Sequence, residues 1–441
     1  MLHVPGSPLP AGELSRRGFM AGSAATLAVP AILGTGLHRV VSKNDPDVLK
    51  VGLIGCGGRG TGAASNALRA ENGTVVLTAV ADVFPEKIAS SLEGLTNNLG
   101  QDAGRVQVDD DHKFSGFDAY QQLIASDVDV VLLATPPHFR PAHLAAAIGA
   151  GKHVFTEKPI AVDAPGVRSV LETAKLAKEK GLTLICGLCW RYNWRHRAFY
   201  EKIHEGSLGE IRAVYSTYNA TPLGTNPRQG DWSEMEFQMR NWQHMLWIGG
   251  DHIVEQAVHS LDKQGWAMQD KPPLSCTAVG GRQAREGEER GNINDHFGVT
   301  YDYPDGVKAF HMCRQMSNCS NDNSDFVMGE CGHGTVKGWS NIHTLEGRHP
   351  WSYSGQGNDM YQTEHDEMFA SIRAGEARND GEWVSSSTML AIIARMAAYT
   401  GKTITWEEAM ASEERLGPSQ YSMDADYKIL PVPVPGRTAF S

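Results

Sequence analysis

Short apolar runs alternate with helix-forming segments through the first half of the chain. Four of these runs, rich in Val, Leu and Ala, are predicted strands: 48–54, 75–81, 128–134 and 152–156. Five further stretches carry helical patterns: 63–70, 85–94, 118–125, 142–150 and 167–180. Continuous apolar strands that alternate with helices predict a parallel sheet covered on both faces.

Beyond about residue 182 the pattern changes, and apolar and polar positions alternate. Four segments with this period of two are predicted strands: 211–218, 274–280, 295–303 and 307–313. Tyr303-Pro304-Asp305-Gly306 predicts a hairpin turn between the last two. Helices are predicted at 365–374 and 385–399, so this half is an α+β domain on a mostly antiparallel sheet. A proline-rich tail, 426–441, must be extended, either along a neighbouring subunit or as a surface strap.

Composition agrees with two globular domains. The 441 residues exceed the size, about 250–300 residues, at which one core stops growing. Hydrophobic and charged residues make up 41% and 21% of the chain, which are ordinary values. The net charge of −11, without a long basic run, argues against nucleic acid and anionic membrane surfaces as partners. No apolar run reaches the length of about 18 residues that a membrane span needs.

The first 36 residues have the pattern of an export signal. Arg16 and Arg17 precede an Ala/Gly-rich segment at 18–36 that ends in small residues. This order is typical of a removable twin-arginine signal, the alternative being a chance Arg-Arg pair. We expect the twin-arginine translocation machinery to bind it and the mature protein to be periplasmic or secreted.

A glycine-rich turn, Gly55-Cys56-Gly57-Gly58-Arg59-Gly60, follows the first predicted strand and opens a helix. In a dinucleotide-binding turn Gly55 would permit the tight bend, Gly57 the approach of the pyrophosphate, and Gly60 close helix–strand packing. The helix N-terminus then offers N–H groups to the phosphates. The context of strand, turn and helix favours this interpretation over a glycine turn that binds nothing.

Asp82 ends the second strand, 22 residues after Gly60. An acid at this place accepts hydrogen bonds from ribose hydroxyls and repels a 2′-phosphate, which favours NAD over NADP. Arg59 would partly offset that repulsion. We therefore predict a Rossmann domain that binds tightly held NAD at 48–181, and a substrate domain at 182–425.

Two more motifs carry a family resemblance. Thr135-Pro136-Pro137-His138 follows the third strand, and Glu157-Lys158-Pro159 follows the fourth. With Glu255, His259 and Asp262 spaced by four and three residues, the chain resembles the Gfo/Idh/MocA family of oxidoreductases from about residue 48 to its end.

The resemblance implies a Rossmann domain followed by a domain with a large open sheet, through which relatives commonly pair as homo-oligomers. It implies that Lys158 reaches the nicotinamide and the substrate hydroxyl, that its peptide bond to Pro159 is cis, and that further cofactor contacts come from Thr135, Pro136, His138 and Glu157. Some exported relatives retain their cofactor, and another branch hydrolyses glycosides by transient oxidation with bound NAD. The chain departs from the family pattern at Glu255, where Asp is usual, and at Arg140, where His is more common.

Residues 251–263 are predicted to form one helix with a chemical face. At 100° per residue one stripe collects His252, Glu255, Gln256, His259 and Lys263, and apolar residues lie opposite. A solvated polar face is the alternative, but two histidines with Glu and Gln favour a pocket lining. A metal site on His252, Glu255 and His259 is conceivable, yet nothing else indicates one, so no metal is predicted.

The roles follow from the chemistry of hydride transfer from a carbinol carbon. His259 is the expected general base, because its ordinary pKa of about 6.5 suits proton transfer near neutrality. Glu255 would orient His259 or the substrate, and Lys158 would stabilise developing alkoxide charge. Tyr192 is a candidate second proton carrier, with core packing as the alternative. Arg191 and His252 are candidate substrate contacts, and Trp242 and Trp247 a candidate aromatic wall for sugar C–H faces or, alternatively, core residues.

The sequence leaves three functions open. The first is NAD(P)-dependent oxidation of a sugar or cyclitol hydroxyl, with the cofactor recycled in place. The second is redox-neutral glycoside hydrolysis through oxidation, elimination, water addition and reduction. The third is a non-catalytic sugar- or nucleotide-binding module, against which the presence of both Lys158 and His259 argues.

Overall fold

The structure of the protein, a computed structural model, describes residues 47–71 and 73–440. The segment 1–36, predicted to be an export signal, lies outside the described residues. The described chain forms a six-stranded sheet followed by a nine-stranded sheet. The first is parallel and the second mostly antiparallel, which confirms the predicted α/β class with a Rossmann domain and an open second sheet.

The first sheet is built from these strands: β1 Val48–Ile54, β2 Thr74–Asp82, β3 Lys113–Ser115, β4 Val130–Leu133, β5 His153–Thr156 and β6 Leu184–Cys186. The helices between them are α1 Gly58–Leu68, α2 Pro85–Leu99, α3 Ala119–Ala125, α4 Arg140–Gly149 and α5 Ala164–Glu179. The strand order is β3-β2-β1-β4-β5-β6. The order reverses between β1 and β4, and in sheets of this kind a ligand crevice opens at that point, outside the carboxyl ends of the strands.

The second sheet contains these strands: β7 Ile211–Ala220, β8 Ser275–Gly281, β9 His296–Asp302, β10 Lys308–Gln315, β11 Ser324–Gly329, β12 Gly332–Lys337, β13 Ile342–Gly347, β14 Trp351–Ser352 and β15 Ile404–Thr405. Its order is β14-β13-β12-β11-β7-β10-β9-β8-β15. The β7–β10 pair is parallel, and the other pairs are antiparallel. The helices of this half are α6 Trp194–His204, α7 Glu234–Arg240, α8 Leu246–Gly249, α9 His252–Glu255, α10 Val258–Ala267, α11 Met360–Ala374, α12 Gly381–Thr400 and α13 Trp406–Ala411.

Helices cover one face of the second sheet. Helices α10 and α12 pack together and against its strands, and α12 is buried around most of its circumference, as expected of a helix that is apolar all round. The opposite face exposes a set of large apolar side chains: Val279, Phe310, Met312 and Met328. The site described below lies on the helix-covered side.

The tail after α13 has no helix or strand and runs over the surface of its own chain. Gln238 donates a hydrogen bond to the carbonyl of Tyr427, and Asn292 donates one to the carbonyl of Leu430. In the described chain the tail is therefore a strap on the same molecule.

Most predicted strands lie within two residues of observed ones, and β1 matches at both ends. The parallel sheet extends to Cys186, five residues beyond the predicted boundary at 181. The prediction missed β3 and β11 to β15, which are short or lack a clear apolar alternation. No helix among the described residues has the length and apolar character needed to cross a bilayer.

Candidate active site

The glycine turn between β1 and α1 has an open backbone. Gly55 has a φ of 98°, a value that favours glycine. A Cβ on Gly60 would lie 1.8 Å from the carbonyl oxygen of Gly55, so a side chain here would push α1 away from β1. Among the described atoms nothing lies within 4 Å of a Cβ built on Gly57 or Gly58. The turn and the helix N-terminus therefore have the space and the polarity that a pyrophosphate requires.

Asp82 stands beside this turn at the end of β2. Its carboxylate accepts hydrogen bonds from the backbone N–H groups of Cys56, at 2.7 Å, and Phe84, at 2.9 Å. Burial raises the pKa of Asp82, while these two hydrogen bonds oppose the rise. The carboxylate is thus fixed at the edge of the cleft, where a ribose would lie.

A cavity of about 600 Å³ opens at the carboxyl ends of β1, β2 and β4. The predicted cofactor residues that line it are Gly55, Gly57, Gly58, Arg59, Gly60, Asp82, Thr135 and Pro136. The remaining three, His138, Glu157 and Lys158, are not among the lining residues. The open cradle at Gly57 and Gly58 and the fixed Asp82 carboxylate fit a dinucleotide.

Side chains from separate elements complete the cavity. From the Rossmann domain these are Phe84, Lys87, Phe117, Tyr120 and His143. From the second domain they are Asn226, Gln229, Trp232, Arg240, Trp242 and Gln243. Sequence reasoning missed all of them except Trp242, because no local motif joins positions that meet only through the chain fold. The unusual density of Trp, Gln and Asn at 226–243 was the available signal.

Arg59 lines the cavity, but its guanidinium is engaged by other side chains. Its guanidinium forms an ion pair with Glu157 at 2.8 Å and lies over the ring of Tyr361, 4.9 Å from the centroid. The expected offset of 2′-phosphate repulsion by Arg59 therefore has no support in the structure. Lys87 and Arg240 are further cations that line the cavity with Asp82.

Lys158 and Glu255 meet at the end of β5. The Lys158 Nζ donates to the carbonyl oxygen of Glu255 and lies 3.5 Å from its carboxylate. The peptide bond between Lys158 and Pro159 is cis, as expected. Buried Arg140, which stands where the family more often has His, donates a hydrogen bond to the carbonyl of Pro159. Arg140 thus braces the segment that carries Lys158.

The predicted helix over 251–263 is wrong as a single element. The chain leaves α9 after Glu255 and starts α10 at Val258, with a turn at residues 256 and 257. This break changes the angular phase of the residues beyond it, so the predicted stripe does not face one pocket. Among the described residues no group of three or more His, Cys, Asp or Glu side chains is placed to hold a metal ion.

Two members of the stripe lie in the core. His252 is 2% exposed and packs against Phe297, at 5.2 Å between ring centroids, which argues against a substrate contact. Lys263 is fully buried and pairs with Asp325 at 2.6 Å. Gln256 accepts a hydrogen bond from Gln315 on the sheet.

His259 remains beside Lys158. Burial, followed by the charges of Lys158 and Lys263, lowers the pKa of His259 well below its ordinary value of 6.5. Its Nδ1 is shielded from solvent and has no hydrogen-bond partner among the described residues. The structure therefore brings together a neutral imidazole, an ammonium group and the Glu255 carboxylate.

Two other predicted residues are engaged elsewhere. Tyr192 is 2% exposed and donates a hydrogen bond to Asp380 at 2.7 Å, which favours the core alternative over a proton carrier. Arg191 forms ion pairs with Asp262 and Asp270 through its guanidinium. The prediction that Arg191 contacts the substrate is therefore corrected, because its guanidinium is already engaged. Both residues follow the last strand of the parallel sheet, which is why the sequence indicated a functional role for them.

The predicted aromatic wall does not exist as a unit. Trp242 lines the dinucleotide cavity, whereas Trp247 is 4% exposed and donates its indole N–H to Gln238. His138 packs on Trp247 and hydrogen-bonds the Tyr421 hydroxyl at 2.7 Å. Trp247 and His138 thus belong to the packing under the tail.

Comparison with protein families decides the relationship. The model of the Gfo/Idh/MocA oxidoreductase family with an NAD-binding Rossmann fold matches residues 49–188, and that of the family's C-terminal domain matches 196–333. The chain belongs to the Gfo/Idh/MocA family. Both the Rossmann domain and the second domain expected from the resemblance are therefore confirmed.

Individual relatives match over part of their length. The chain is 30% identical to inositol 2-dehydrogenase of Pseudomonas syringae pv. syringae over 48% of this chain and 57% of that protein. It is 27% identical to a glycosyl hydrolase family 109 protein of Shewanella amazonensis over 45% and 44%. The chain thus spans about half the length of these curated relatives.

Among solved structures, the aldose–aldose oxidoreductase from Caulobacter crescentus superposes with a TM-score of 0.63. The identity is 20%, and the match covers 81% of this chain and 99% of that one. At this identity the likeness shows a shared fold.

Proposed function

We propose that the protein oxidises a hydroxyl group of a sugar or cyclitol with NAD that stays bound and is recycled in place. The observation that carries this proposal is the meeting of Lys158, Glu255 and His259 next to a dinucleotide-sized cleft. Thr156 of β5 pairs with Leu133 of β4, so the catalytic cluster lies one strand from the cavity wall.

Bound NAD would supply the hydride acceptor, and the protein would manage the proton and the charge. His259 is the general base: its lowered pKa keeps the imidazole neutral near pH 7 and able to take the hydroxyl proton. Lys158 donates to the same oxygen and stabilises its developing negative charge. Glu255 holds the ammonium of Lys158 through its carbonyl and carboxylate oxygens, which sets the direction of that donor.

The cofactor is proposed to be NAD, tightly held. The Asp82 carboxylate at the ribose position disfavours a 2′-phosphate. Retention is supported by the second-domain residues Trp232, Arg240 and Trp242, which line the cavity together with the glycine turn. The twin-arginine signal predicted at 1–36 supports a periplasmic or secreted location, where a retained cofactor would be regenerated by a second substrate.

A second copy of the chain is the proposed partner of the open sheet. Val279 and Met312, on the uncovered face, are 72% and 50% exposed, which is unusual for isolated apolar side chains on a sheet. The measurement is the mass of the protein in solution. We expect an oligomer that Met312→Asp weakens, and a monomeric wild type would contradict this part.

Redox-neutral glycoside hydrolysis is the second candidate. It is supported by the match to a relative named as a glycosyl hydrolase, and it needs no second substrate to restore the cofactor. Oxidation of a ring hydroxyl acidifies the adjacent C–H bond, elimination expels the aglycone, water adds to the double bond, and the ketone is reduced. Electrons return to their starting place in each cycle.

The first experiment measures bound cofactor and turnover. Denatured wild-type protein should release NAD in near-stoichiometric amount, and no NAD together with no measurable affinity would refute both candidates. Incubation with free sugars, inositols and chromogenic glycosides, without added NAD, separates them. Ketose or lactone formation indicates the oxidoreductase, whereas repeated aglycone release indicates the glycosidase.

Two variants test the assigned residues. Lys158→Ala and His259→Ala should each lower kcat by about a hundredfold or more, the usual scale for a lost acid–base group, while NAD content stays near that of the wild type. The matched controls are Lys175→Ala and His333→Ala, whose side chains are 67% and 48% exposed. Bound NAD without turnover of any compound would support a binding module instead.

A further inference from the structure

One aromatic ring stands next to the proposed general base, and a second packs against the first. Tyr218, on β7, lies nearly parallel to the imidazole of His259, with 17° between the planes and 6.5 Å between the centroids. Trp339, in the turn between β12 and β13, meets Tyr218 edge-on at 6.0 Å. Trp339 is 51% exposed, an uncommon fraction for a tryptophan that has a packed neighbour.

The Tyr218 hydroxyl is available to a ligand. It has no hydrogen-bond partner among the described residues, although the ring is half-buried. Burial, and then the charge of the Glu255 carboxylate, raises the pKa of the Tyr218 phenol. A neutral phenol at this point can donate to a substrate oxygen or accept from a substrate hydroxyl.

A sugar ring presents two kinds of surface, a rim of hydroxyls and an apolar face of C–H groups. Binding sites for small molecules combine apolar or aromatic walls with a few fixed polar groups. Lys158, Glu255 and His259 supply the polar groups here. The aromatic wall expected at Trp242 and Trp247 lies elsewhere, so the apolar part of the site needs another source.

We propose that Tyr218 and Trp339 form the wall on which the sugar ring of the substrate lies, with Tyr218 beside the carbon that is oxidised and Trp339 under the part of the substrate that extends towards solvent. This inference rests on the proposed function and extends it to the substrate class. The site takes a ring with a substituent, such as a glycoside, in preference to an unsubstituted cyclitol. The solvent exposure of Trp339 provides room for that substituent.

The experiment uses NAD-loaded wild-type protein and three variants. Binding of p-nitrophenyl glycosides and of myo-inositol is measured by calorimetry, and turnover is measured where it occurs. Trp339→Ala should raise the Kd and KM for the preferred glycoside by about tenfold, which is the scale of one aromatic contact, and change kcat by less than about threefold. Its effect on myo-inositol should be smaller.

Tyr218→Phe separates the ring from its hydroxyl. It should keep the stacking surface but lower kcat, because the hydroxyl is lost. The matched control is Trp194→Ala on α6, a tryptophan 44% exposed that has no ring contact with Tyr218 or His259. This variant should bind and turn over like the wild type, and all variants should carry the same amount of NAD.

The outcomes separate the two proposals. Sugar binding by the wild type without turnover would refute the proposed oxidation, yet the Kd of Trp339→Ala would still test the wall. An unchanged Kd and KM in Trp339→Ala would overturn the wall while leaving the oxidation intact. A wild type that binds none of the sugars would overturn the wall as well.

Discussion

Replacing Lys263 by Met should destabilise the protein strongly. The Lys263 and Asp325 side chains are 0% and 1% exposed, and their charged atoms lie 2.6 Å apart. Asn323 accepts a second hydrogen bond from the same ammonium at 2.8 Å. Removing one partner leaves a buried charge without compensation, which costs about 3–5 kcal/mol in the free energy of unfolding.

The assay is urea unfolding followed by tryptophan fluorescence for Lys263→Met, Asp325→Leu and the double variant. Each single variant should shift the midpoint by an amount equivalent to about 3–5 kcal/mol, and the double variant should recover most of that loss, because no charge is then stranded. The control is Lys178→Met, whose partner Glu382 lies 3.5 Å away with both side chains largely exposed. We expect a change below about 1 kcal/mol there.

If Lys263→Met unfolded like the wild type but lost turnover, Lys263 would act on the substrate, as the predicted helical stripe indicated. If the double variant were as unstable as the sum of the single ones, the two charges would not be coupled.

Three further predictions follow from the site. Gly60→Ala should abolish NAD retention, because its Cβ would lie 1.8 Å from a carbonyl oxygen of the turn. The control Gly62→Ala, whose Cβ would lie 3.6 Å from the nearest neighbouring atom, should retain NAD. Equal cofactor content in both proteins would contradict the turn geometry. Because burial and two cations lower the pKa of His259, its neutral form persists below pH 6.5, and kcat/KM should fall on the acid side only at a pH below the ordinary histidine pKa of about 6.5. A fall at or above pH 6.5 would exclude His259 as the base. Tyr192→Phe should lower the free energy of unfolding by about 1–3 kcal/mol with kcat preserved, since it removes one of the three hydrogen bonds that the buried Asp380 carboxylate accepts within the described chain. A selective loss of kcat, measured beside an unfolding curve, would return Tyr192 to the chemistry.

Sequence patterns predicted an element correctly where the contacts that form it join residues close together in the chain. The strand–turn–helix from β1 to α1, the terminal acid Asp82 and the segment Glu157-Lys158-Pro159 each combine neighbours whose geometry the backbone imposes. The same holds for the hairpin at 303–306, where Asp305 adopts a φ of 59°. These elements were found with bounds close to the observed ones.

The rule of 100° per residue failed at 251–263 for an identifiable reason. The rule assumes an unbroken helix, but the helix is interrupted by the turn after Glu255. His252 and Lys263 then lie against the second sheet, where Phe297 and Asp325 are their partners. Neither partner is near in sequence, so no local pattern could assign them.

The sequence by itself determined the family and the glycine turn, and it singled out Lys158 and His259 as candidate residues, because each of these rests on short-range spacing. Only the tertiary structure decided which side chains are neighbours: Arg59 pairs with Glu157, Trp247 is packed under the tail, and Trp339 packs against Tyr218. Side-chain neighbourhoods depend on contacts between residues far apart in the chain, and periodicity carries no information about such contacts.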